Sequence, residues 1–95
     1  MYNYGFQQVS TENVSTSTTS AQSAALGSAE DATFWVRLCA NTDVHYAVGS
    51  NPTATTSSTF LPEDTIEIIK CSYSDKIGVR TTSGTGLLSV TQLSS

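Results

Sequence analysis

The chain has 95 residues and a formal net charge of −4, with Arg37, Lys70, Lys76 and Arg80 as its only basic residues. That length holds one domain, which buries about 60–65% of its unfolded surface and so has a thin core. Four scattered cations make no basic stripe, which argues against direct binding to a nucleic-acid backbone. Charged residues are 13% of the chain, about half of the usual ~25%. Ser and Thr make up about a third, so hydroxyls rather than charges keep the surface wet.

The chain opens on MYNYGFQQVSTENVSTSTTSAQ, which has neither a basic start nor an apolar h-region. No apolar run reaches the ~20 residues of a membrane-spanning helix, so synthesis in the cytoplasm is expected. Residues 1–31 read as an extended Ser/Thr-rich arm. Such a low-complexity segment cannot offset an ordering cost of about 1–2 kcal/mol per residue by packing on itself. It needs a partner surface, and its Thr and Val content favours a strand laid against a neighbour. Tyr2, Tyr4 and Phe6 alternate and are the expected anchors.

Residues 32–95 read as the core, built of short strands. In TFWVRLC, Phe34, Val36 and Leu38 fall on one face and Trp35, Arg37 and Cys39 on the other, so both faces carry apolar groups, which suits a central strand or an interface. VHYAV sets Val44, Tyr46 and Val48 against His45 and Ala47. A long neutral loop follows, GSNPTATTSST, in which Asn51, Pro52, Thr53, Thr55 and Thr56 are candidate partner-binding residues together with Trp35. TIEIIKC then sets Ile66 and Ile68 against Glu67, KIGVR carries Ile77 and Val79, and LLSVTQL carries Leu88 and Val90. The connections SYSD and TTSGTG are short and rich in glycine or hydroxyls, as antiparallel neighbours require. The fold class that follows is all-β: a small antiparallel β-sandwich or barrel with an extended N-terminal arm.

Catalytic chemistry finds little purchase. Asp43 and His45 stand two apart on one face, but a metal site needs a third and usually a fourth ligand at a workable spacing. Glu63 and Asp64 lie in a turn with no apolar pocket to separate an acid from a base. No serine sits in a nucleophile elbow, and no glycine cluster precedes a Lys–Ser/Thr pair. The expectation is a binding protein without a cofactor. Cys39 and Cys71 lie in strand-like runs and read as small buried hydrophobes, with a disulfide the alternative.

VHYAVGSNPTATTSSTFLPEDTIEII followed by DKIGVRTTSGTGLLSVTQL resembles a pattern in small all-β virion proteins of tailed bacteriophages. There a strand ends near G-x-N-P-T-A-T, a hydroxyl loop leads to Leu-Pro and an apolar strand, and strands of the type DKI-V and G-x-L-x-V-T close the chain. The likeness spans Val36 to Leu93; Glu63 and Asp64 stand where such proteins usually carry a small residue and glycine. It implies a capsid decoration (cement) or head-fibre-base protein on the virion exterior. Its partners would be the major capsid protein and further copies of itself, a trimer above all. The alternative is a carbohydrate- or receptor-binding module of a tail or head fibre, with Trp35, Tyr46 or Tyr73 stacking on a sugar. Near-neutral contact segments predict attachment that salt barely affects.

Overall fold

The computed structural model describes residues 7–27 and 33–94. They form eight strands: β1 (Gln7–Thr16), β2 (Ala21–Gln22), β3 (Thr33–Ala40), β4 (Val44–Gly49), β5 (Thr59–Leu61), β6 (Glu67–Ser72), β7 (Lys76–Thr81) and β8 (Gly86–Ser94). Two four-stranded antiparallel sheets result, a first of order β1-β8-β3-β6 and a second of order β2-β7-β4-β5. Of the connections, only β4 to β5 stays within a sheet; every other one changes sheet. Eight strands wound in this order are a jelly roll. The expected all-β sandwich is the observed architecture.

The sandwich closes on side chains that alternate inward. Phe34, Val36, Leu38 and Ala40 from β3 meet Val44 and Tyr46 from β4, with Ile77 and Val79 from β7 and Leu88 and Val90 from β8. Burial of a Val or Leu is worth about 1.5–3 kcal/mol relative to exposure, so this set supplies most of the driving force. Gly27 takes a φ of +83° beside Phe34, where an added Cβ would lie 2.4 Å from the ring. Only glycine combines that turn with a full-sized aromatic in the core.

The sequence changes composition at residue 31, but the sandwich begins earlier. β1 lies along β8 of the same chain from Gln7 to Thr16, and Val14 and Leu26 belong to the core. The partner surface that the hydroxyl-rich segment needs is the chain's own last strand. Tyr2, Tyr4 and Phe6 lie outside the described residues.

β6 takes the opposite phase from the one its isoleucines imply. Ile69 and Cys71 stand opposite Val36 and Phe34 and face inward, whereas Ile68 is 43% and Ile66 55% exposed. Glu67 pairs with the buried Leu38 and also points inward, because the Tyr46 hydroxyl on the second sheet donates to its carboxylate. A polar partner inside the sandwich makes that phase tolerable.

Candidate functional site

The two outer faces of the sandwich differ. On the second sheet the loop between β4 and β5 folds back over the strands. Gln22 Nε2 donates to Asn51 Oδ1 and to the Pro52 carbonyl, both at 2.9 Å, and the Ala54 amide donates to Ser20 Oγ at 2.9 Å. Pro52 and Ala54 are buried, and Gly78 of β7 makes room for them: a Cβ there would stand 2.7 Å from the Pro52 carbonyl oxygen. The far end is a hydroxyl-knitted turn, in which the Ser58 amide donates to the Thr55 carbonyl and the Thr55 amide to Ser58 Oγ, each at 2.9 Å. His45 Nδ1 lies 3.0 Å from the Ser58 carbonyl, which can only accept, so the proton sits on Nδ1. Phe60 packs beside that imidazole with ring centroids 5.2 Å apart.

The neutral composition of this loop therefore has a structural use. Its hydroxyls and amides satisfy backbone groups of a segment that lies on its own sheet. Asn51, Thr53, Thr55 and Thr56 remain exposed, while Pro52 is turned inward.

The outer face of the first sheet carries no such cover among the described residues. Strand register lays it out in rows. Trp35 lies across from Lys70 on β6 and Leu93 on β8, and Arg37 across from Ile68 and Thr91. Cys39 pairs with Ser89, and Leu87 of β8 with Ser15 of β1. Ile66, one residue before β6, continues the outward alternation of Ile68 and Lys70. The half nearest β1 carries no described charge and sets the exposed Leu87 among hydroxyls, with Thr11 Oγ1 and Thr91 Oγ1 3.1 Å apart. The half nearest β6 is apolar and basic: Trp35, Ile66 and Ile68 are exposed, and Lys70 Nζ stands 5.7 Å over the Trp35 ring.

Every described carboxylate lies elsewhere. Glu12 faces inward and accepts the Ala24 amide, Glu67 is inside the sandwich, and Asp43, Glu63, Asp64 and Asp75 sit in turns. The turn carboxylates have backbone work: Asp43 accepts the Glu63 amide and Asp75 the Ser72 amide, both at 2.8 Å. Asp43 and His45 are thus each engaged with backbone. Among the described residues no three His, Cys, Asp or Glu side chains stand together as a metal would require. Cys39 faces outward and Cys71 inward on the same sheet, and both thiols are free. Burial, reinforced by Asp75, pushes the Cys71 thiol up to about 11, which leaves it a poor nucleophile at neutral pH.

The candidate residues accordingly fall into separate places. Trp35 is on one side of the sandwich and Asn51, Thr53, Thr55 and Thr56 are on the other, so a single flat partner cannot touch both sets. Reasoning from the sequence set Arg37 on the face of Trp35 but missed Ile66, Ile68 and Lys70 as companions. Only the register of β6 against β3 reveals them. Compared with family models, with curated proteins and with solved structures, the chain shows no match to any of them.

Proposed function

We propose that the protein is a non-catalytic structural component of a tailed-bacteriophage virion, decorating the outer capsid surface and stabilising the head. Its partners in this reading are the major capsid protein and two further copies of itself. The observation that carries it is the outer face of the first sheet, on which Trp35 and Ile68 are exposed on neighbouring strands. Clustered exposed apolar side chains rimmed by polar ones mark association surfaces. The resemblance over Val36 to Leu93 supplies the kind of partner, and jelly rolls recur among capsid domains, a support by fold analogy. Survival of heated particles with and without the protein tests it. Added protein should raise the temperature at which heads rupture; equal rupture temperatures would remove the cementing role.

Jelly rolls also recur among lectins, which keeps the carbohydrate-binding alternative in view. The aromatics give it less support. Tyr46 is buried and engaged with Glu67, while the exposed Trp35, Phe60 and Tyr73 lie on the first sheet, the second sheet and the β6–β7 turn respectively. A sugar site needs its stacking rings on one patch.

A further inference from the structure

We infer that copies of the protein exchange β1, so that in the assembly the first strand of one chain lies along β8 of its neighbour, an inference that rests on the self-association in the decoration reading and names the element that joins the copies.

Three features of β1 point to this. The first is how the strand is held. It pairs with β8 from Gln7 to Thr16, yet of the inward side chains Glu12, Val14 and Thr16 only Val14 is apolar. Thr16 Oγ1 is buried with no hydrogen-bond partner among the described residues, and the Glu12 carboxylate accepts the Ala24 amide at 3.1 Å. A strand that buries so little apolar surface is among the first elements to open. What it gives up on leaving is a backbone ladder, which β8 of any copy restores in the same register.

The second is where the chain is fastened. β1 belongs to the first sheet, whereas residues 20–26 have bonds of their own to the other side of the sandwich. Ser20 Oγ accepts the Ala54 amide, and Gln22 holds Asn51 and Pro52. The Ser23 amide donates to the Ile77 carbonyl and Ser23 Oγ accepts the Ile77 amide, each at 2.9 Å. The Leu26 amide donates to the Asp75 carbonyl and its carbonyl accepts the Ser74 amide, each at 2.8 Å. β1 can therefore leave while Leu26 keeps its place in the core.

The third is the hinge. Residues 17–20 read Ser-Thr-Thr-Ser and bend at Thr18 and Thr19, without the Gly, Pro, Asn or Asp that tight turns ordinarily use. Ser17 Oγ accepts the Thr19 amide at 3.2 Å, a local bond of modest strength. Two β-branched residues favour extended backbone. Straightened, the four residues reach about 13 Å, enough to pass β1 to an abutting copy.

The seat selects the occupant. β8 sets Leu88 opposite Val14 and Val90 opposite Glu12, and Gln92 Nε2 donates to Ser10 Oγ at 3.1 Å. A seat matched to β1 in register and side chains is filled by β1, of its own chain or of another. Passed in one direction round a ring, the exchange closes with every strand seated.

The test is disulfide trapping across the Asn13–Ser89 pair, two outward residues directly opposite each other on β1 and β8. Opposed residues of an antiparallel pair stand about 4.5–5.5 Å apart, within reach of a disulfide. Cys39 also pairs with Ser89, so all variants carry Cys39→Ala. Asn13→Cys chains and Ser89→Cys chains are unfolded, mixed in equal amounts, refolded together and oxidised. About half of the Asn13→Cys chains should run as covalent pairs on a non-reducing denaturing gel, as random mixing in a ring dictates, and neither variant alone should form them. The double variant Asn13→Cys/Ser89→Cys, checked for folding by circular dichroism, should give covalent oligomers. A double variant that closes its disulfide within one chain, with no pairs in the mixture and an oligomer by light scattering, would overturn the exchange and leave self-association intact. A wild type of single-chain mass at every concentration would overturn both. A folded double variant that forms no disulfide would contradict the β1–β8 pairing and with it the exchange.

Discussion

The Tyr46 hydroxyl reaches across the sandwich and donates to the Glu67 carboxylate, joining β4 of the second sheet to the edge strand β6 of the first. The pair holds β6 in the phase that turns Ile68 outward. Tyr46→Phe keeps the ring and removes the donor, leaving a carboxylate facing the core without that partner. It should cost about 1–3 kcal/mol. In a domain of this size each kcal/mol lowers the melting temperature by about 4–8 °C, which a thermal melt resolves.

Alkaline stability should fall earlier than for a protein without these groups. Burial, then the hydrogen bond and charge of Glu67, hold the Tyr46 phenol above its ordinary range, and Cys71 titrates at about 11 against an ordinary 9.0. Both groups keep their protons more tightly when folded. Their contribution is complete below the unfolded values and is lost as pH rises through the folded ones. Denaturant midpoints measured from pH 8 upward should decline from about 9. Cys71→Ala should remove the first part of that slope and Tyr46→Phe the later part, whatever each does to stability at neutral pH.

Gly78 decides whether the β4–β5 loop can lie on its sheet. Gly78→Ala drives a methyl against the Pro52 backbone and should cost about 1–3 kcal/mol, the range for an overpacked contact. Gly49→Ala, with nothing within 4 Å of the added Cβ, is the control and should leave the melting temperature nearly unchanged. Proteolysis within Ser50–Thr59 should accelerate in the first variant only.

The phase of β6 is testable by exchanging neighbours. Ile68→Ser should be nearly neutral for stability, whereas Ile69→Ser removes a side chain packed on the core and should cost on the order of 1–3 kcal/mol. The reverse ranking would mean that the isoleucines follow the alternation read from TIEIIKC.

That strand shows where the sequence stops being legible. Alternation alone set Phe34, Val36 and Leu38, Ile77 and Val79, and Leu88 and Val90 each on one face, and those faces are the inward ones of β3, β7 and β8. In EIIKC two isoleucines are adjacent, so either phase buries one, and the choice depends on Tyr46 some twenty residues earlier. The N-terminal segment hides its role for a similar reason. Its Thr and Ser residues pack no core of their own, and the strand that orders them, β8, ends the chain. Trp35 could be singled out with Arg37 on its face, but Ile68 and Lys70 join them only through the pairing of β3 with β6. The neutral loop read as a contact surface because sequence says nothing of which surface its hydroxyls meet, and its nearest one is the chain's own second sheet.

A cryo-electron-microscopy map of the decorated particle tests the central claim most directly. The account predicts density for the jelly roll on the outside of the shell, with Trp35 and Ile68 against the capsid surface and the Ser50–Thr59 loop facing away. Density that seats the loop on the shell and leaves Trp35 and Ile68 in solvent, or a shell carrying no such density, would contradict it.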